Sequence, residues 1–184
     1  IIFTVLTQMS VGAFLVLGVV HFFVERKAGL QEADRMSDRV LIAIVITLGL
    51  GMLASLFHLG TPLNAYKSVI NIGMSWLSRE ILFGVVFAVL ALVFVALQWF
   101  KISSARIRNV VALLAALVGV CMIYSQSNIY MLPTQPSWNT LITPITFFAS
   151  TLLLGVLAIG AALVANCTFA QQKNPDCAET QFDL

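Results

Sequence analysis

The sequence predicts an all-α fold, a polytopic transmembrane helix bundle, and three observations predict it. Of 184 residues, 60% are hydrophobic and 10% charged, against roughly 25% charged in an average soluble domain. Mean hydropathy is +0.98, more apolar surface than a water-soluble core of this size can hide. Five stretches are long enough to cross a bilayer, because a helix rises about 1.5 Å per residue and roughly 20 apolar residues cover a hydrocarbon core of about 30 Å. These runs are continuously apolar, whereas barrel strands alternate and are only about ten residues long.

The first span covers residues 1–24 and stops at the charged stretch Glu25 to Arg39. The second covers 40–59 and ends at Gly60, Thr61 and Pro62, which suit a helix stop. Residues 63–76 are too polar to span and read as a loop or interfacial segment. The third and fourth spans cover 77–100 and 107–130; a Pro-containing loop, Met131 to Thr143, leads to the fifth, 144–166. Pro144 suits its first turn, where a missing N–H costs nothing. Residues 1–166 thus form one bundle, and 167–184 read as a polar tail or inter-helix loop. Gly12, Gly49, Gly51, Gly119, Gly155 and Gly160 are expected to let helix backbones approach closely. The chain opens at Ile1, already inside an apolar run and without an initiator Met, so it reads as a fragment.

Lys and Arg are distributed unevenly between the two ends of the bundle. Loops after spans one, three and five hold Arg26, Lys27, Arg35, Arg39, Lys101, Arg106, Arg108 and Lys173; the alternate side holds only Lys67 and Arg79. The positive-inside rule therefore predicts the eight-residue side in the cytoplasm and the N-terminus outside. A net charge of +2 offers no basic face for nucleic acid. No Gly-rich phosphate loop or CxxC pair occurs, and Cys121, Cys167 and Cys177 lack metal-ligand spacing, so no metal site is expected. The only histidines, His21 and His58, fall near opposite faces, roughly 25 to 30 Å apart by helix length. They cannot share a haem, and His21 reads as an interfacial residue without a redox role.

The middle turn of every span is apolar, which argues against a transporter, whose substrates and ions bind near the midplane. Polar residues gather instead at the predicted outer end. Gln8 comes from span one, His58 from span two, Arg79 and Glu80 from span three, and Tyr124, Gln126 and Tyr130 from span four, with Trp138 in the loop. Each has a structural explanation: aromatics anchor at interfaces, and charged groups snorkel or cap helix ends. Together, a histidine, a carboxylate and aromatic hydroxyls beside an apolar interior suit a lipid-soluble ligand that releases protons.

The block around His58 reads ASLFHLGTPLNAYKSVINIGMSWLSREILFG. It resembles the membrane anchor of bacterial dimethyl sulfoxide reductase, the DmsC family, in His58, Leu59, Gly60, Pro62, Ala65, Tyr66, Gly73, Ser75, Leu77, Ser78, Glu80 and Ile81. The opening IFTVLTQMSVGAFLVL, with its Gln8, and the segment YSQSNIYMLPTQPSWNTLITP are similar to that family as well. The resemblance covers nearly all of residues 1–166 and implies an anchor of about eight helices, of which this chain would hold the first five.

It further implies a subunit that binds and oxidises menaquinol, carries no haem, and passes electrons to an iron–sulfur subunit serving a molybdopterin catalytic subunit. No complete terminal-reductase active site is expected in this chain. The resemblance assigns quinol binding to His58 and, less directly, proton handling to Glu80; Gln8, Arg79, Tyr124 and Tyr130 are further ligand-contact candidates. The chemistry agrees: quinol oxidation releases two electrons and two protons, and an unperturbed imidazole titrates near pH 6.5. The competing expectations are a purely structural anchor and, less favoured, a small-molecule transporter.

Overall fold

A computed structural model describes residues 2–56, 72–101 and 103–173 of the chain. Five helices, α1 (Ile2–Ala28), α2 (Leu30–Leu56), α3 (Trp76–Phe100), α4 (Ala105–Tyr130) and α5 (Ile142–Lys173), account for nearly all of it, and no strand occurs among the described residues. Each carries a window long and apolar enough to cross a membrane, so the chain is a multi-pass membrane protein.

The helices outrun the apolar windows. The charged stretch read as the end of span one is itself helical: α1 continues through Glu25, Arg26 and Lys27, and α2 starts at Leu30, well before its apolar window Met36–Ala54. Glu, Arg, Lys and Gln are good helix formers, and apolarity marks where a helix lies in lipid, not where it ends. A single residue, Gly29 at φ +90°, makes the reversal. Its N–H bonds the Glu25 carbonyl and its own carbonyl accepts from Ala33, closing one helix and opening the next; the left-handed conformation favours glycine. Likewise α5 runs past 166 to Lys173, through the start of the segment read as tail.

Ser75 caps α3, its hydroxyl accepting from the Ser78 N–H, and Pro144 falls in the first turn of α5. α2 runs back along α1, with Gly51 against Leu6 and Thr7 at one end and His21 against Asp34 at the other. α3 and α4 form a second antiparallel pair, with Gly84 near Met122 and Gly119 near Phe87. α1 touches α4 as well and packs parallel to α5. There the backbones touch: a Cβ on Gly12 would overlap the Thr151 carbonyl, and one on Gly155 would overlap the Gly12 backbone. Gly12, Gly51, Gly119 and Gly155 thus sit at close approaches, whereas Gly49 and Gly160 face open space.

Lipid tails are as apolar as leucine, so close packing rather than the hydrophobic effect holds such helices together. Phe14 of α1 is wedged edge-on between Phe87 and Phe94 of α3, with ring centroids 5.8 and 5.6 Å away. Buried hydroxyls of Ser10, Ser125 and Thr151 donate to carbonyls one turn back, so small polar residues line interfaces without orphaned donors. The outward face carries Leu113, Leu117, Leu153 and Leu157, as a surface turned to hydrocarbon requires.

Candidate functional site

Two polar clusters occupy opposite ends of the bundle. The first grows from Glu80, in the opening turns of α3 and 5% exposed. Its Oε1 accepts from Gln126 Nε2 at 2.7 Å. Gln126 is fully buried on α4 and also donates to the Thr7 hydroxyl of α1 at 3.2 Å. Thr7 in turn donates to the Phe3 carbonyl at 2.8 Å. One side chain, Gln126, therefore joins three helices around a carboxylate. Its own carbonyl oxygen, Oε1, is buried with no hydrogen-bond donor among the described residues. An unfilled buried acceptor is costly.

The other expected residues of this end do not all join the cluster. Gln8 turns to α5, accepting from the Ser150 hydroxyl at 2.9 Å, because one residue along a helix rotates the side chain about 100° from Thr7. Arg79 bonds the carbonyls of Ile72 and Gly73 and lies over the Trp76 ring at 4.3 Å, so it braces the turn before α3. Tyr124 is half-exposed, edge-on to Trp76. Tyr130 packs against Trp138 and Phe147. His58 lies outside the described residues.

The second cluster, which sequence reasoning missed, centres on Asp34 near the start of α2. Its Oδ1 accepts from Gln98 at 2.7 Å and stands 3.2 Å from His21 Nε2. Its Oδ2 accepts from Lys101 at 3.1 Å and Arg108 at 3.2 Å, while Lys101 also reaches Asp38. Asp34, Gln98 and Arg108 are all buried. Burial pushes the Asp34 carboxyl up, but the bonds from Gln98, His21 and Lys101, with the charge of Lys101, outweigh it and hold the group below its ordinary value. His21, read from the sequence as interfacial, therefore touches this network through Asp34. The available signal was spacing: Ala33, Asp34 and Ser37 continue at helical intervals into Val40, Leu41 and Ile44, all buried.

Beside this network a cavity of about 560 Å³ opens, walled by Phe14, Phe22, Phe94, Leu113, Gln98 and Arg108. No group of three or more His, Cys, Asp or Glu side chains poised for a metal occurs among the described residues. Cys121 is a free thiol on the exposed face of α4.

A family model described as DMSO reductase anchor subunit (DmsC) matches residues 1–175. The C subunit of the anaerobic dimethyl sulfoxide reductase of Haemophilus influenzae is 31% identical over 166 residues, covering 90% of this chain and 58% of the relative. The YnfH subunit of the Escherichia coli anaerobic dimethyl sulfoxide reductase is 35% identical over 175 residues, covering 92% and 58%. The E. coli C subunit is 29% identical over 165 residues, covering 89% and 56%. The protein thus spans somewhat over half the length of these relatives. No solved structure matches it.

Proposed function

The chain belongs to the DMSO reductase anchor subunit (DmsC) family, and from that premise we propose that it anchors a reductase of the dimethyl sulfoxide reductase type and oxidises menaquinol at the Glu80 end. Its partners in this reading are an iron–sulfur subunit, which takes the electrons, and a molybdopterin subunit, which reduces the terminal acceptor. The observation that carries the reading is the buried Glu80 carboxylate held by Gln126, whose Oε1 still lacks a donor among the described residues. A quinol approaching through lipid brings two hydroxyl donors and an apolar tail, matching an acceptor-rich cluster in an apolar bundle.

Oxidation of the quinol releases two electrons and two protons. His58, in the block preceding α3, accepts the proton of each hydroxyl in turn, and Glu80, near the membrane boundary, relays both to water. Gln126 orients the Glu80 carboxylate and Thr7 orients Gln126. The electrons leave to the iron–sulfur partner docked at the same face, because a site at the opposite end would leave the bilayer to cross. The Lys and Arg asymmetry supports placing the Glu80 end in the periplasm and the Asp34 end in the cytoplasm.

The test is His58→Ala in the intact complex in native membranes. Quinol-driven reduction is expected to be lost while dyes that donate directly to the soluble subunits still support turnover. Normal quinol-dependent activity, or joint loss of both activities with subunits released from the membrane, returns the protein to the role of a structural anchor.

A further inference from the structure

The described carboxylates at the Asp34 end already have partners, and two arginines there have none. Asp34 holds Lys101 and Arg108, Asp38 reaches the same Lys101, and Glu25 stands 4.0 Å from His21. Arg26, Lys27 and Arg106 are exposed and pair with no carboxylate among the described residues. With Lys101 and Arg108 they set five cations against the three carboxylates Glu25, Asp34 and Asp38. In the adjoining sequence Arg35 and Arg39 outnumber Glu32, and protonation of His21 adds a further charge. This end of the bundle is therefore positive in either form of His21.

Two of the unpaired cations frame the cavity. The Arg26 guanidinium carbon lies 4.3 Å from the centroid of the Phe22 ring, which is one of its walls. Along α1, Val19, Phe22 and Arg26 follow one another at helical spacing, and along α4 Leu113, Asn109 and Arg106 do the same in the opposite direction. Each stripe lines the slot and then ends, one turn farther toward the same membrane surface, on an exposed arginine. Between the stripes Val19, Phe22, Phe23 and Leu113 form an exposed apolar rim, so the slot opens sideways to the hydrocarbon. From Phe14 to Arg26 it runs about 18 Å along α1, and from Ala116 to Arg106 about 15 Å along α4. Half of a hydrocarbon core of about 30 Å is the same depth. The layout is an apolar channel one leaflet deep with unpaired cations at its outer end.

We propose that this slot binds an anionic phospholipid, with one acyl chain between Phe14, Phe22, Phe94 and Leu113 and the phosphate on Arg26 and Arg106. An aliphatic chain supplies the contacts that a void of about 560 Å³ would deny its lining, and the two arginines select a negative headgroup over a zwitterionic one. The proposal goes beyond quinol oxidation and does not rest on it: Thr7, in the Glu80 cluster, and His21 lie about 20 Å apart along α1.

The test uses the intact complex reconstituted in phosphatidylcholine nanodiscs with a minor fraction of phosphatidylglycerol that carries a photoreactive group on one acyl chain. After photolysis, label is expected in α1 between residues 14 and 23 and in α4 between 109 and 116. Unlabelled phosphatidylglycerol should compete for it, added phosphatidylcholine should not, and raising the salt concentration should weaken it. Arg26→Gln or Arg106→Gln is expected to lower the label about fivefold and the pair about thirtyfold, near the usual contribution of one surface cation each. Gly18→Leu keeps both charges but occupies the slot, since a Cβ there meets nothing within 4 Å, and should lower the label as well. If a variant fails to assemble, the competition and the salt dependence decide the matter in the wild-type protein. Absence of label from both helices overturns the proposal. So does equal labelling by a phosphatidylcholine probe, which would make the slot a groove for any lipid, or displacement by a naphthoquinone and not by phosphatidylglycerol. Label that survives both arginine substitutions overturns it too.

Discussion

Gln126 Nε2 donates to Glu80 Oε1 across 2.7 Å, binding α4 to α3 through two side chains buried in the bundle. The bond separates two jobs of Glu80, holding the helices together and handling protons. Glu80→Gln retains an acceptor for Gln126 but removes the ionisable group. Assembly is expected to persist, with a partial, pH-dependent loss of quinol-driven turnover and no loss of dye-driven turnover. Glu80→Leu removes the acceptor as well and is expected to cost about 1–3 kcal/mol in detergent thermal unfolding. Equal losses of quinol activity and stability in both variants would show that Glu80 is structural only.

Closeness at the α1–α5 crossing yields a second prediction. A Cβ at Gly12 overlaps the Thr151 backbone, which cannot move aside as a flexible side chain can. Gly12→Ala is therefore expected to destabilise the folded bundle by about 1–3 kcal/mol or more. Gly160→Ala, where a Cβ meets nothing, should stay within about 0.5 kcal/mol of the native protein. Equal midpoints for the two variants would mean that α1 and α5 do not cross at Gly12 and Gly155.

Asp34 predicts an acid dependence of stability. Its folded value lies below the ordinary 3.8, so its contribution is fully present above the unfolded value and is lost as the pH falls through the lowered folded one. Asp34→Asn should flatten this acid limb. At neutral pH it should cost on the order of 2 kcal/mol, less than a fully buried pair because Lys101 is 42% exposed and screened. An unchanged acid limb in the variant would assign the dependence to another group.

Topology is tested by labelling single engineered cysteines from outside intact cells. Sites near Asn71 and Thr134 are expected to react, whereas one at Gln31, on an exposed turn at the start of α2, should not. Reaction at Gln31 would invert the bundle and place the Glu80 end in the cytoplasm.

By itself the sequence determined that the chain is a helical membrane protein with five spanning segments and that Glu80 and Gln126 sit at the same end. Membrane insertion responds to local hydrophobicity over about 20 residues, and alternation of direction from span to span then assigns every residue to an end. The residues of the His58 block, with the opening segment and the segment from Tyr124, carried the resemblance to the family. Only the tertiary structure decided which faces meet. Thr7 and Gln126 are 119 positions apart and Asp34 and Arg108 are 74 apart, and no local pattern states which distant helix faces which. Gln8 and Arg79 were at the expected end, but helix rotation turned one to Ser150 and the other to the turn before α3. The same rotation brought Asp34 under His21 and against Arg108. Rotation is set by how small residues such as Gly12 and Gly155 let backbones close on each other, a property of packed pairs of helices that neither helix expresses alone.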